Sequence, residues 1–86
     1  MRFRWSVRPE DLPRADIPTL LEALGHRRPE VRLAAAVSLA DRKTRDPGVM
    51  EALTGVAGED EDSEVRAAAG AALHLIRTRR SPRVAA

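Results

Sequence analysis

Glu30-Val31-Arg32-Leu33-Ala34-Ala35-Ala36 returns 34 residues later as Glu64-Val65-Arg66-Ala67-Ala68-Ala69-Gly70. Each copy follows an apolar block that ends in Glu-Ala-Leu: Leu20-Leu21-Glu22-Ala23-Leu24, then Val49-Met50-Glu51-Ala52-Leu53. Self-similarity at this period marks stacked helical hairpins, because one hairpin cannot bury its apolar face alone and a neighbour of the same shape covers it. The expected architecture is all-α: two stacked helical hairpins, a minimal α-solenoid, with flexible basic termini.

Working outward, Asp16 suits the cap of a first helix, with Pro18 in the first turn, where a missing N–H costs nothing. Ile17, Leu20, Leu21 and Leu24 give that helix one buried face, and Gly25 stops it. A second helix opens at Pro29. Val31, Ala34, Ala35, Ser38 and Leu39 form its buried stripe, with Arg32, Ala36 and Arg42 away from it. Residues 43–46 connect, and Pro47 opens a third helix whose inward residues are Val49, Met50, Leu53, Val56 and Ala57 and which Gly58 ends. A fourth starts near Asp62–Ser63 and buries Val65, Ala68, Ala69, Ala72, Leu73 and Ile76, with Pro82 as its stop. Gly70 stands where the first copy has Ala36. A glycine inside a helix costs up to ~1 kcal/mol relative to alanine, which points to a close helix approach.

The copies differ in spacing. Leu24 to Pro29 is five residues, whereas Leu53 to Ser63 is ten. The second hairpin therefore carries an insertion within Thr54–Asp62, part of it expected to lengthen the third helix and the rest to form an acidic turn. The domain reading is a basic N-terminal arm over 1–15, with one short turn near Glu10–Leu12; a repeat domain over 16–77, with hairpins at about 16–42 and 47–77; and a basic tail over 78–86.

An apolar-Glu-Ala-Leu helix, a tight turn, then Glu-Val-Arg-x-Ala-Ala-Ala and a closing Leu resembles the HEAT repeats, in the short Ala-rich form also found in phycobilisome lyases. The resemblance covers residues 16–77 and implies the fold more sharply than the role. It is unspecific for function, because HEAT repeats serve scaffolds, adaptors, lyases and nucleic-acid enzymes; the expected function is a non-catalytic protein–protein interaction module, a small adaptor or accessory subunit of a larger assembly, with no cofactor. The family often places an Asp in the turn six residues before the Val-Arg arginine, where the two bond within or between repeats. Asp60 stands six before Arg66 and matches; His26 holds that place before Arg32 and does not.

Composition narrows the function classes. The chain has 86 residues, enough for one small domain. Cysteine is absent, which removes disulfide, thiolate and cysteine–zinc chemistry. His26 and His74 are the only histidines and fall on different hairpins without spaced carboxylates, so neither a metal site nor a general base is expected. Ser6, Ser38, Ser63 and Ser81 have no nucleophile context, and no Gly-rich phosphate loop is present. Glu59-Asp60-Glu61-Asp62-Ser63-Glu64 lacks the spacing of a calcium loop and reads as a solvated turn that favours the next helix start. No apolar run reaches the ~18 residues of a membrane span, and Met1-Arg2-Phe3-Arg4-Trp5 has no signal-peptide core, so a cytoplasmic location is expected.

The net charge of +2 is unevenly placed. Residues 1–14 carry four Arg against Glu10 and Asp11, a balance of +2; residues 15–76 carry seven Lys/Arg against eleven Asp/Glu, a balance of −4; residues 77–86 carry four Arg, a balance of +4. An acidic body with basic ends allows a second function class, a nucleic-acid-associated protein that contacts phosphate through Arg2, Arg4, Arg77, Arg79, Arg80 and Arg83. Phe3 and Trp5 have three readings: they stack on bases, they cap the apolar end of the first hairpin, or they anchor a protein partner or second copy. The candidate partner-binding residues are Trp5, Phe3, Arg32 and Arg66. Arg32 and Arg66 have an equal reading as internal groups that bond turn carbonyls or carboxylates.

Overall fold

The computed structural model describes residues 7–42, 44 and 46–80. A 3-10 turn at Pro9–Arg14 leads into α1 (Ile17–Ala23), α2 (Pro29–Asp41), α3 (Pro47–Glu59) and α4 (Ser63–Arg80). No strand occurs among the described residues. α1 and α2 make the first hairpin, α3 and α4 the second. α2 packs against α1 and the 3-10 turn as well as against α4, so the hairpins join through their second helices. This is the all-α stack that the repeated sequence predicts.

Side chains of both copies set the helix starts. The Asp16 carboxylate accepts the Thr19 N–H at 3.1 Å, Asp46 accepts the Gly48 N–H at 2.8 Å, and Asp62 accepts the Glu64 and Val65 N–H groups at 2.8 and 3.2 Å. Each satisfies donors that a helix start leaves without an intrahelical acceptor. Pro18, Pro29 and Pro47 fall in first turns, where proline's lost N–H is no loss.

The ends depart from the sequence reading. Gly25 follows α1, but no described glycine has a positive φ. α1 stops by tightening: Leu24, Gly25 and His26 donate to the carbonyls of Leu21, Glu22 and Ala23 at 3.3, 3.0 and 3.1 Å. α3 runs past Gly58 to Glu59, so most of the insertion becomes helix, and α3 has 13 residues against 7 in α1.

One core cluster joins Leu20, Val31, Ala35 and Leu39 of the first hairpin to Val49, Leu53, Ala69, Ala72, Leu73 and Ile76 of the second. Three expectations change there. Arg32 and Ala36, read as lying away from the stripe, are buried, as is Ala40, because α2 is covered on two sides. Gly70 marks no close approach: a Cβ added there meets nothing within 4 Å. The short turn expected near Glu10–Leu12 runs from Pro9 to Arg14, and its Leu12 is fully buried in the core. Arg42 ties this turn to the end of α2 by donating from Nη2 to the carbonyls of Pro13, at 2.9 Å, and Ala15.

Candidate interaction surface

The strongest polar contact lies between the repeats. Arg32, early in α2, reaches Asp60, which follows α3. Its Nε donates to Asp60 Oδ2 at 2.9 Å and its Nη2 to Oδ1 at 3.0 Å. The fork geometry matches the two carboxylate oxygens, and both side chains are more than nine-tenths buried. Nη1 of Arg32 donates to the carbonyls of His26 and Arg27 at 2.8 and 3.1 Å. One arginine thus closes its own turn and grips the turn of the next repeat. Burial works against the Asp60 charge. Hydrogen bonds from Arg32 and the Asp62 N–H, with the charges of Arg32 and Arg66, outweigh it and hold the carboxyl below its ordinary value. The hydrogen bond to Asp60 raises the Arg32 pKa in turn, so the guanidinium stays charged.

Arg66 repeats half of this arrangement. Its Nη1 donates to the Asp60 carbonyl at 2.7 Å, as Arg32 Nη1 does to His26, 34 residues earlier in both partners. No ion pair joins Arg66 to a carboxylate among the described residues. The turn contact also repeats. Asp60 Oδ1 accepts the Asp62 N–H at 2.9 Å, and His26 Nδ1 accepts the Arg28 N–H at 3.1 Å. His26 therefore holds the turn as an aspartate would, without supplying a carboxylate.

The rest of the stripe follows the same division. At 3.6 residues per turn, Arg32, Ala36 and Ala40 lie along one side of α2, and Arg66, Gly70 and His74 along the same side of α4. The α2 residues are 7, 0 and 6% exposed, on a helix that packs against α4 of the second hairpin. On α4, Arg66 and Gly70 are half-buried and His74 is exposed. Gly70 and His74 were not singled out as site residues by sequence reasoning; their 34-residue counterparts Ala36 and Ala40 carry the signal.

Of the other sequence-derived candidates, Arg77 is exposed in the last part of α4, and Arg79 and Arg80 fall at its C-terminal end. Arg2, Phe3, Arg4, Trp5 and Arg83 lie outside the described residues. The structure brings Arg32 and Arg66 to one turn, at Asp60. A shallow groove beside that turn is lined by His26, Arg32, Glu59, Asp60 and Glu61. Among the described residues no three metal-ligating side chains gather, and no helix is long and apolar enough to cross a membrane.

The family model for HEAT repeats matches residues 8–84. The chain belongs to the HEAT repeat family. The match is to the HEAT repeats as a whole and leaves the phycobilisome-lyase form as a resemblance. No curated protein and no solved structure matches the chain. HEAT repeats generally mediate protein–protein interaction and are typically non-catalytic. The matched span begins at Arg8 and so takes in the 3-10 turn, in line with the burial of Leu12.

Proposed function

We propose that this HEAT-repeat chain is a small cytoplasmic adaptor or accessory subunit that binds a protein partner and performs no chemistry of its own. The observation that carries the reading is the uneven cover of one stripe: buried on α2, half-buried to exposed on α4. An open stripe whose counterpart is closed by a neighbouring hairpin is a surface shaped for a protein. Trp5 and Phe3 are further candidate anchors, and Arg32 serves the interior as the group that sets hairpin register.

Affinity capture from the source cell with mass spectrometry, paired with sedimentation equilibrium of the purified chain, tests this reading. A stoichiometric protein partner is the expected result. A strict monomer that captures no protein counts against it. Retention on heparin or single-stranded DNA that falls steeply with salt, and is lost on removing residues 1–8 and 77–86, would favour the nucleic-acid class instead.

A further inference from the structure

The α4 stripe has an internal precedent that says what fits it. On α2, which packs against the second hairpin, the same three positions are buried, and the contact between hairpins is registered by one turn carboxylate in the arginine fork. On α4 the fork is present in Arg66, the position that would crowd a neighbour is Gly70, and Arg77 adds positive charge along the same side. Arg66 spends Nη1 on the Asp60 carbonyl, as Arg32 spends Nη1 on His26. The edge that Arg32 turns to Asp60, Nε with Nη2, carries no carboxylate on Arg66 among the described residues.

We propose that Arg66, Gly70 and His74 form a docking site for a helical hairpin of a different protein, seated by an aspartate or glutamate in that hairpin's turn, which Arg66 grips as Arg32 grips Asp60. The inference rests on the protein-binding reading and names the surface and the partner's chemistry. A second copy of this chain is the wrong occupant. Head-to-tail stacking would bring the first hairpin's turn to Arg66, and that turn carries His26, whose Nδ1 already accepts the Arg28 N–H and which has no pair of oxygens to fill the fork. The first hairpin is thus closed to propagation, while the second keeps the socket. A bidentate carboxylate also fits arginine and not lysine, which lacks the planar fork.

The test places photoactivatable benzoylphenylalanine at position 67, beside the stripe, in the full chain in its source cell. Ala67 is exposed, and a probe there leaves Gly70 without a side chain. The cross-linked peptide is then sequenced. The expected peptide comes from a different protein and holds an Asp or Glu in the turn of a helical hairpin. Arg66→Gln lowers its yield about tenfold, the effect of losing one charge-assisted contact. Arg66→Lys, which keeps charge and fold, lowers it too, whereas Arg14→Gln in the 3-10 turn leaves it unchanged. Cross-links only to residues 81–86, to a second copy or to nucleic acid overturn the proposal, as does the absence of any cross-link. A probe at Trp5 separates the two readings. If it captures a protein and position 67 does not, protein binding stands and this site falls; if neither captures one, both fall.

Discussion

The two hairpins start from nearly the same sentence of sequence and reach different surroundings. In the first, α2 is wrapped by α1, the 3-10 turn and α4, and Arg32, Ala35, Ala36, Leu39 and Ala40 are all buried. In the second, α4 carries the same residue pattern but covers only part of its circumference: Val65, Ala69, Ala72, Leu73 and Ile76 are buried, while Ala67, Ala71 and His74 stay exposed. The buried arc of α2 is roughly twice that of α4 at 3.6 residues per turn. Burial here is a property of position in the stack as much as of the residue. Alanine at 36 is core; glycine at 70, in the same register, has open space beside it.

The largest expected effects test that contrast in the core. Leu39 and Leu73 are counterparts, 0 and 6% exposed. Leu39→Ala is expected to cost about 4 kcal/mol and Leu73→Ala about 2–3 kcal/mol, because a cavity at the outer helix relaxes more readily than one held from two sides. Urea unfolding of the two variants measures the gap. Equal losses would mean that α4 is as enclosed as α2.

The buried ion pair comes next. Asp60→Ala leaves the Arg32 fork in the interior without its carboxylate and is expected to cost about 3 kcal/mol. The pair also sets an acid sensitivity. The Asp60 carboxyl lies below its ordinary value in the folded chain, so its contribution is complete above the unfolded pKa of ~3.9 and is lost as pH falls through the folded value. Thermal melts between about pH 5 and pH 2 should show a steeper decline for the native chain than for Asp60→Asn. Parallel declines would show that the pair adds nothing net.

A reciprocal exchange sharpens the comparison at smaller scale. Ala36→Gly removes a buried methyl and loosens the helix, together about 1.5–2 kcal/mol. Gly70→Ala meets no atom within 4 Å and is expected to stabilise the free chain by about 0.5–1 kcal/mol, a rise of several degrees in melting temperature for a domain of this size. If Gly70→Ala lowers the melting temperature, the stripe on α4 is covered in solution.

The repeated heptapeptide made the helices, the hairpin order and most of the core legible, since Val31, Ala35 and Leu39 recur as Val65, Ala69 and Leu73. Periodicity reads one face, and α2 has nearly two. Arg32, Ala36 and Ala40 therefore escaped it: they lie off the stripe that local spacing marks, on a helix that also packs against α4. The Asp60 contact was half legible. Its place six residues before Arg66 drew attention to that arginine, yet its carboxylate serves Arg32, and only its carbonyl serves Arg66. Leu12 looked like part of a proline-interrupted arm, because a six-residue 3-10 turn has no amphipathic repeat to reveal it.

Arg66→Gln should have the smallest effect on the free chain, and that smallness is what separates it from Arg32. The lost interaction is a charged hydrogen bond to the Asp60 carbonyl from a half-buried side chain, which leaves no carboxylate unpaired among the described residues. About 0.5–1 kcal/mol is expected, against about 3 kcal/mol for Arg32→Gln, which would strand Asp60 in the interior. Paired melts of the two variants read the difference directly. Identical residues in identical register would then differ in weight through one circumstance, that a second hairpin supplies a carboxylate to Arg32 while none pairs with Arg66 among the described residues. A loss at Arg66 as large as that at Arg32 would mean that its fork is already satisfied, and the asymmetry between the two ends of the stack would disappear.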